Sequence, residues 1–273
     1  YYHRYAERSR IFDSFAEVFI KTKGFDIYDR NYKSALPEHA FPRRYDPYIL
    51  GKLDPSEIDV AYKGYAYGIN MNSVNQSQTM FARRVFELMA SNTITVGNYS
   101  RGVKNYFGDL TICTDDQTTL EKVLARYCAD EEARRKYRLL GLRKVLSGHL
   151  YEDRLAYVVQ KVFGASLGWR SPSVLVLCRA PDAKAARRMA GLFAAQTYQN
   201  CRMLLICDEP LQLDDARISV VSQAAAQEMR LAGEAAGGFV AVFSPEDYYG
   251  TQYLTDLMLT LRCGDWQGVG KAA

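Results

Sequence analysis

Short apolar runs alternate with amphipathic stretches along the whole chain, and that alternation constrains the fold more than any other feature. Val174–Cys178 is a continuous apolar run within the predicted strand Ser173–Cys178, Ala183–Ala195 has helical spacing, and Met203–Cys207 is apolar again. Parallel strands need a crossover of a dozen or more residues, usually a helix, so this order predicts parallel sheets with helical crossovers. The first half reads the same way. Tyr5–Thr22 carries Phe12, Phe15, Ala16, Phe19 and Ile20 on one stripe, with Gly24 as its cap. Strands are predicted at Phe25–Tyr28, Tyr65–Asn72, Ile94–Val96 and Leu110–Cys113. Helices are predicted at Pro55–Ala61, Thr79–Ser91, Gly102–Tyr106, Gln117–Cys128 and Glu131–Leu146. Beyond Met203–Cys207, strands at Ile218–Val221 and Phe239–Phe243 flank a helix at Gln223–Ala235, and Gln252–Leu261 is helical. The fold class is α/β: two Rossmann-like parallel-sheet domains in tandem.

Composition separates the halves. Residues 1–170 are Tyr-rich and basic, whereas residues 171–273 are Ala-rich and slightly acidic. Ala165-Ser-Leu-Gly-Trp-Arg-Ser-Pro172 has no helical period and reads as a linker, giving domains at 1–164 and 173–273 joined by 165–172. The net charge of +4, from 35 basic and 31 acidic residues, is too small for a nucleic-acid-binding signature. No apolar run approaches the roughly 20 residues of a membrane helix, and no signal peptide opens the chain. The six cysteines form no C-x-x-C pair and read as thiols of a reducing, cytoplasmic compartment. With Tyr1 in first place and no initiator Met, the chain is expected to be a piece of a longer protein.

One stretch carries chemistry. After the predicted strand Tyr65–Asn72 comes a polar loop, then Thr79-Met-Phe-Ala-Arg-Arg-Val-Phe-Glu87. In parallel sheets ligands bind beyond the carboxyl ends of strands. A helix start there offers unpaired amides to an anion, with Ser77 or Thr79 as its cap. Arg83 and Arg84 suit a diphosphate, and Glu87 a ribose. An amphipathic helix with a solvated Arg–Glu pair explains the spacing equally well. Arg101, in the turn Asn98–Gly102, is either a phosphate contact or a surface residue. Asp29 with Arg30, Lys63 and His149 read more readily as structural residues.

These motifs, with Ile27-Tyr-Asp-Arg-Asn31, Phe41-Pro42, Ala61-Tyr-Lys-Gly64 and His149-Leu-Tyr-Glu-Asp-Arg154, resemble the C-terminal half of group-1, CgeB-like glycosyltransferases of the GT-B fold. The resemblance covers about residues 1–164. It implies donor binding by Ser77, Thr79, Arg83, Arg84, Glu87 and Arg101, with a nucleotide-diphosphate sugar and a glycan acceptor as partners and no obligatory cofactor. It also implies a hexosyltransferase-like activity in cell-surface polysaccharide synthesis, with the catalytic base in a half this chain does not show. Thr79 stands where the wider superfamily often has the first Glu of an E-x7-E pair. The second half resembles the opening of a family 2, GT-A-like glycosyltransferase, through Ser173–Cys178, Gln196-Thr-Tyr-Gln-Asn200 and Met203–Asp208. That resemblance implies Mg²⁺ or Mn²⁺ at an acidic run after a strand. Here Ser244 and Pro245 replace acids, leaving Glu246 and Asp247 as weak metal ligands and this half truncated or vestigial. Two other classes remain: an inactive nucleotide-binding or scaffold module derived from such enzymes, and an unrelated nucleotide-binding protein. Against the last, no G-x-G-x-x-G follows the strands at Phe25 or Val174.

Overall fold

The computed structural model describes residues 6–229 and 238–271. The chain divides into two compact units, Tyr1–Leu150 and Tyr151–Ala273. Every recorded strand pair in both units is parallel.

In the first unit, α1 (Ala6–Thr22) buries Phe15, Ala16 and Phe19 of the predicted stripe together with Ile11 and Val18, while Phe12 and Ile20 are half-buried. It ends where the amides of Lys23 and Gly24 both reach the Phe19 carbonyl at 2.9 Å, with Gly24 at φ +87°. That left-handed conformation favours glycine. Strands β1 (Ile27–Tyr28) and β2 (Ile49–Gly51) pair as a separate ribbon. After α2 (Ile58–Gly64) come β3 (Tyr67–Asn70), α3 (Arg84–Ala90), β4 (Ile94–Gly97), α4 (Arg101–Phe107) and β5 (Ile112–Cys113), whose strands form a sheet ordered β3-β4-β5. Helices α5 (Gln117–Ala129) and α6 (Glu131–Leu146) come next, each capped by an aspartate, Asp116 and Asp130, that accepts from the third residue on. All four residues of β4 are buried. Its Ile94 and Val96 pack with Phe15 and Phe19 of α1 and with Leu120 and Leu124 of α5. A second cluster joins Val85 and Met89 of α3 to Val103 and Phe107 of α4 and Val145 of α6. A parallel strand is normally buried on both faces in this way.

One predicted element is corrected. The helix expected over Thr79–Ser91 begins only at Arg84. The Ser77 hydroxyl accepts from the amides of Thr79 and Met80 at 3.4 and 3.0 Å, closing a local turn instead. Residues 78–80 are exposed, so no apolar face repays the entropy of coiling them.

In the second unit, α7 (Tyr151–Phe163), which periodicity did not single out, precedes an irregular stretch to residue 173. Strands β6 (Val174–Arg179), β7 (Cys201–Ile206), β8 (Ile218–Val221) and β9 (Phe239–Phe243) lie in the order β8-β7-β6-β9, with α8 (Ala183–Ala194), α9 (Gln223–Glu228) and α10 (Tyr253–Thr260) between or after them. The tail of the helix predicted to Ala235 lies outside the described residues. The core gathers Val176, Met189, Phe193, Leu205, Phe243 and Leu254. Arg262, 1% exposed, donates from Nη2 to Asp153 at 2.6 Å and Glu152 at 3.2 Å, with its guanidinium 5.1 Å from the Trp169 ring. All six cysteines are free thiols. Among the described residues no helix is long and apolar enough to cross a membrane.

Candidate functional site

Strands β3 and β4 end side by side, Asn70 opposite Gly97. A Cβ at Gly97 would stand 2.5 Å from the Asn70 carbonyl oxygen, so only glycine lets the strand ends close this tightly. Beyond them an amide network replaces the ladder. The Asn72 amide donates to Asn98 Oδ1 at 2.6 Å, and Asn98 Nδ2 donates to the Asn72 carbonyl at 3.0 Å and to Asn75 Oδ1 at 3.2 Å. Asn70 Nδ2 donates to Asn72 Oδ1 at 3.1 Å. Asn70, Asn72, Asn98 and Ser100 are all buried. Asn70 Oδ1 is buried with no hydrogen-bond partner, which costs about 1–3 kcal/mol where nothing reaches it.

The loop between β3 and α3 is fastened to α4. The Arg101 amide donates to the Asn75 carbonyl at 2.8 Å, and Asn105 Nδ2 donates to the Gln78 carbonyl at 3.2 Å. Gly102 faces the same loop, since a Cβ there would lie 3.0 Å from Phe81 and 3.2 Å from the Ser77 carbonyl. Behind the α4 start, the Ser100 amide approaches Cys113 Sγ at 3.3 Å, and burial raises the pKa of that thiol. Between the first turn of α1 and this network lies a cavity of about 180 Å³, whose polar lining among the described residues is Glu7, Arg8, Asn72, Ser73, Asn75 and Asn98. Arg8 is itself buried and donates from Nη1 to Ser73 Oγ at 2.7 Å.

The predicted donor residues lie on loops and helices leading from the same carboxyl strand ends, but none lines this cavity. Ser77 and Thr79 belong to the serine-closed turn before α3. Arg83 Nε pairs with Glu87 Oε1 at 2.8 Å, with Arg83 79% and Glu87 36% exposed at the side chain. Tyr62 donates to Glu87 Oε2 at 3.5 Å. Arg84 and Arg101 open α3 and α4 and are exposed. Asp29 accepts from the Asn31 amide, Lys63 pairs with Asp59, and His149 packs among Phe86, Tyr106 and Phe107. Arg8, Asn70, Asn72, Asn75 and Asn98 were not singled out from sequence. A usable signal existed: asparagines crowd the ends of two predicted strands, and Arg8 sits three residues before Ile11 on the buried stripe of α1.

In the second unit the strand order reverses between β6 and β9, the switch point at which open α/β sheets take ligands. Glu246 and Asp247 lie in the loop after β9, both exposed, and Tyr249 donates to Asp247 Oδ2 at 3.4 Å. Arg188 reaches the Pro245 and Asp247 carbonyls. No group of three or more His, Cys, Asp or Glu side chains gathers among the described residues in a way that could hold a metal. Two carboxylates suit Mg²⁺ only in the company of substrate phosphates.

A family model described as glycosyl transferase-like matches residues 17–160. The match covers more than half of the chain, which belongs to that family. Comparison with curated proteins and with solved structures gave no match.

Proposed function

We propose that this glycosyl transferase-like chain moves a sugar, as a hexosyltransferase, from a nucleoside-diphosphate donor to a glycan acceptor in cell-surface polysaccharide synthesis. The first unit is read as the donor-binding half of a GT-B enzyme, and residues 173–273 as GT-A-like. The supporting observation is the polar carboxyl edge of the β3-β4 pair in a chain of this family. Buried amides and the Arg83, Arg84, Glu87 and Arg101 side chains all lead off two adjacent strand ends. Sugar transfer leaves negative charge on the departing diphosphate, and positioned donors that strengthen with that charge lower the barrier. Arg83, Arg84 and Arg101 take that role, with Ser77 and Thr79 at the loop. Glu87 accepts from the ribose hydroxyls. Exposed ion pairs are worth about 0–1 kcal/mol, so Arg83 can leave Glu87 for a phosphate at little cost.

The competing reading is a binding module without turnover. It draws on Thr79 where a Glu would grip the sugar, and on Ser244 and Pro245 where acids would hold a metal. Thermal-shift titration with UDP, GDP, CDP and TDP, with and without Mn²⁺, separates the two. The donor reading expects metal-free stabilisation by at least one nucleotide, lost in Glu87→Ala. An intact fold that no nucleotide stabilises overturns it.

A further inference from the structure

The cavity beside α1 is built for a ligand other than a phosphate. We infer that it is a subsite for one uncharged pyranose ring, held by Arg8, Asn72, Ser73 and Asn75; the inference rests on the glycosyl-transfer reading of this chain.

Size comes first. A volume of about 180 Å³ corresponds to roughly six waters at ~30 Å³ each. Pockets for drug-sized ligands run to ~300–1,000 Å³, so a single ring fits and a whole nucleotide sugar does not. The lining chemistry is a polyol's. It offers a guanidinium, a carboxylate, primary amides and a hydroxyl, with Ile11 supplying an apolar surface for ring C–H groups. Among the described residues of the lining, Glu7 and Arg8 cancel in charge. A phosphate seated against Arg8 would also face Glu7, whereas a neutral hydroxyl can accept from one and donate to the other.

The site is also built in advance. Asn98 holds the Asn72 backbone from both sides, and Asn70 holds the Asn72 side chain. Groups already fixed lose little freedom when a ligand arrives, and that favours binding. Arg8 is held by burial and by Ser73. The cavity lies at the carboxyl end of parallel strands, where α/β sheets take ligands. The ring can come from the donor or from the acceptor glycan, and the two sources separate experimentally.

The test uses the full chain and its Arg8→Ala and Ser73→Leu variants. Ser73 is exposed, so Leu there narrows the cavity and costs the fold only the hydroxyl that accepts from Arg8. Calorimetry measures UDP, UDP-glucose, UDP-N-acetylglucosamine, GDP and GDP-mannose. Saturation-transfer NMR measures the methyl glycosides of glucose, galactose and mannose. If the ring is the donor's, at least one nucleotide sugar binds tenfold or more tighter than its bare diphosphate. Both variants then abolish that increment while leaving diphosphate affinity within twofold. Methyl glycosides that bind the wild type but neither variant support the inference with an acceptor ring, even where no nucleotide binds and the donor reading falls. Three results overturn it while sparing the donor reading: a diphosphate that binds with no sugar increment and no glycoside signal, sugar binding that survives both variants, or an equal loss of bare diphosphate binding.

Discussion

Gly97→Ala tests the close approach on which the strand-end network depends. The added Cβ would lie 2.5 Å from the Asn70 carbonyl oxygen, a backbone atom that cannot swing aside like a side-chain tip. Overpacking of a tight interior costs about 1–3 kcal/mol. Separating the strand ends also strains the two Asn72–Asn98 hydrogen bonds, each worth about 0.5–1.5 kcal/mol. Alanine gives back at most about 1 kcal/mol through the less disordered unfolded chain. The net loss is about 2–4 kcal/mol, a fall in Tm of about 5–15 °C for a unit of this size. Gly64→Ala is the control, since a Cβ there meets nothing within 4 Å. Calorimetry gives the shift, and hydrogen exchange locates it, with faster exchange at the Asn72 and Thr114 amides, which donate to Asn98 Oδ1 and to the Gly97 carbonyl. A loss under about 2 °C, or exchange unchanged at those amides, would refute the argument that glycine sets this spacing.

Two further perturbations probe other parts. Arg262→Ala removes the guanidinium that Asp153 and Glu152 accept from and uncovers Trp169. Because both carboxylates reach water, the loss is about 2 kcal/mol in urea unfolding, below the ~3–5 of a sealed pair. Arg262→Lys recovers little of it, for an ammonium lacks the planar fork, and full recovery by Lys would disprove that role. Tyr45 has its hydroxyl pushed up to about 12 by burial and by donation to Asp13 at 2.5 Å. An unfolded phenol titrates near 10, so this group's stabilisation of about 2–3 kcal/mol is present below pH 10 and is lost as pH rises from 10 to 12. The ultraviolet phenolate titration of wild type minus Tyr45→Phe shows it, and a difference curve centred near 10 contradicts it.

Most elements were legible because their signals are local. The stripe of α1 and the apolar runs of β6 and β9 each specify an element without help from distant residues. The misplaced start of α3 shows where such signals fail. Thr79–Ala82 continue a helical spacing, yet the amides of Thr79 and Met80 are taken up by the Ser77 hydroxyl, Asn105 holds the Gln78 carbonyl, and Gly102 lies close against the carbonyls of residues 77 and 78. Asn105 and Gly102 lie more than twenty residues ahead, and no window over the loop contains them. The site shows the same division. The Arg83–Glu87 ion pair was legible because four-residue spacing places the two on one helical side, whatever their role. Arg8 meets Ser73 across 65 residues, a contact only the folded sheet creates.

The fastening of residues 75–78 onto α4 fixes what kind of machine this rim can be. A hinged flap needs one free side, and here the carbonyls of Asn75 and Gln78 are gripped by the neighbouring helix while Gly102 leaves no slack between them. Any swing of the loop must drag α4 along, and Val103 and Phe107 anchor that helix in the core. On the donor-site reading proposed above, selectivity at this edge would rest on the side chains that protrude from a held frame, and exchanging those side chains, rather than remodelling the loop, would be the direct route to a different substrate.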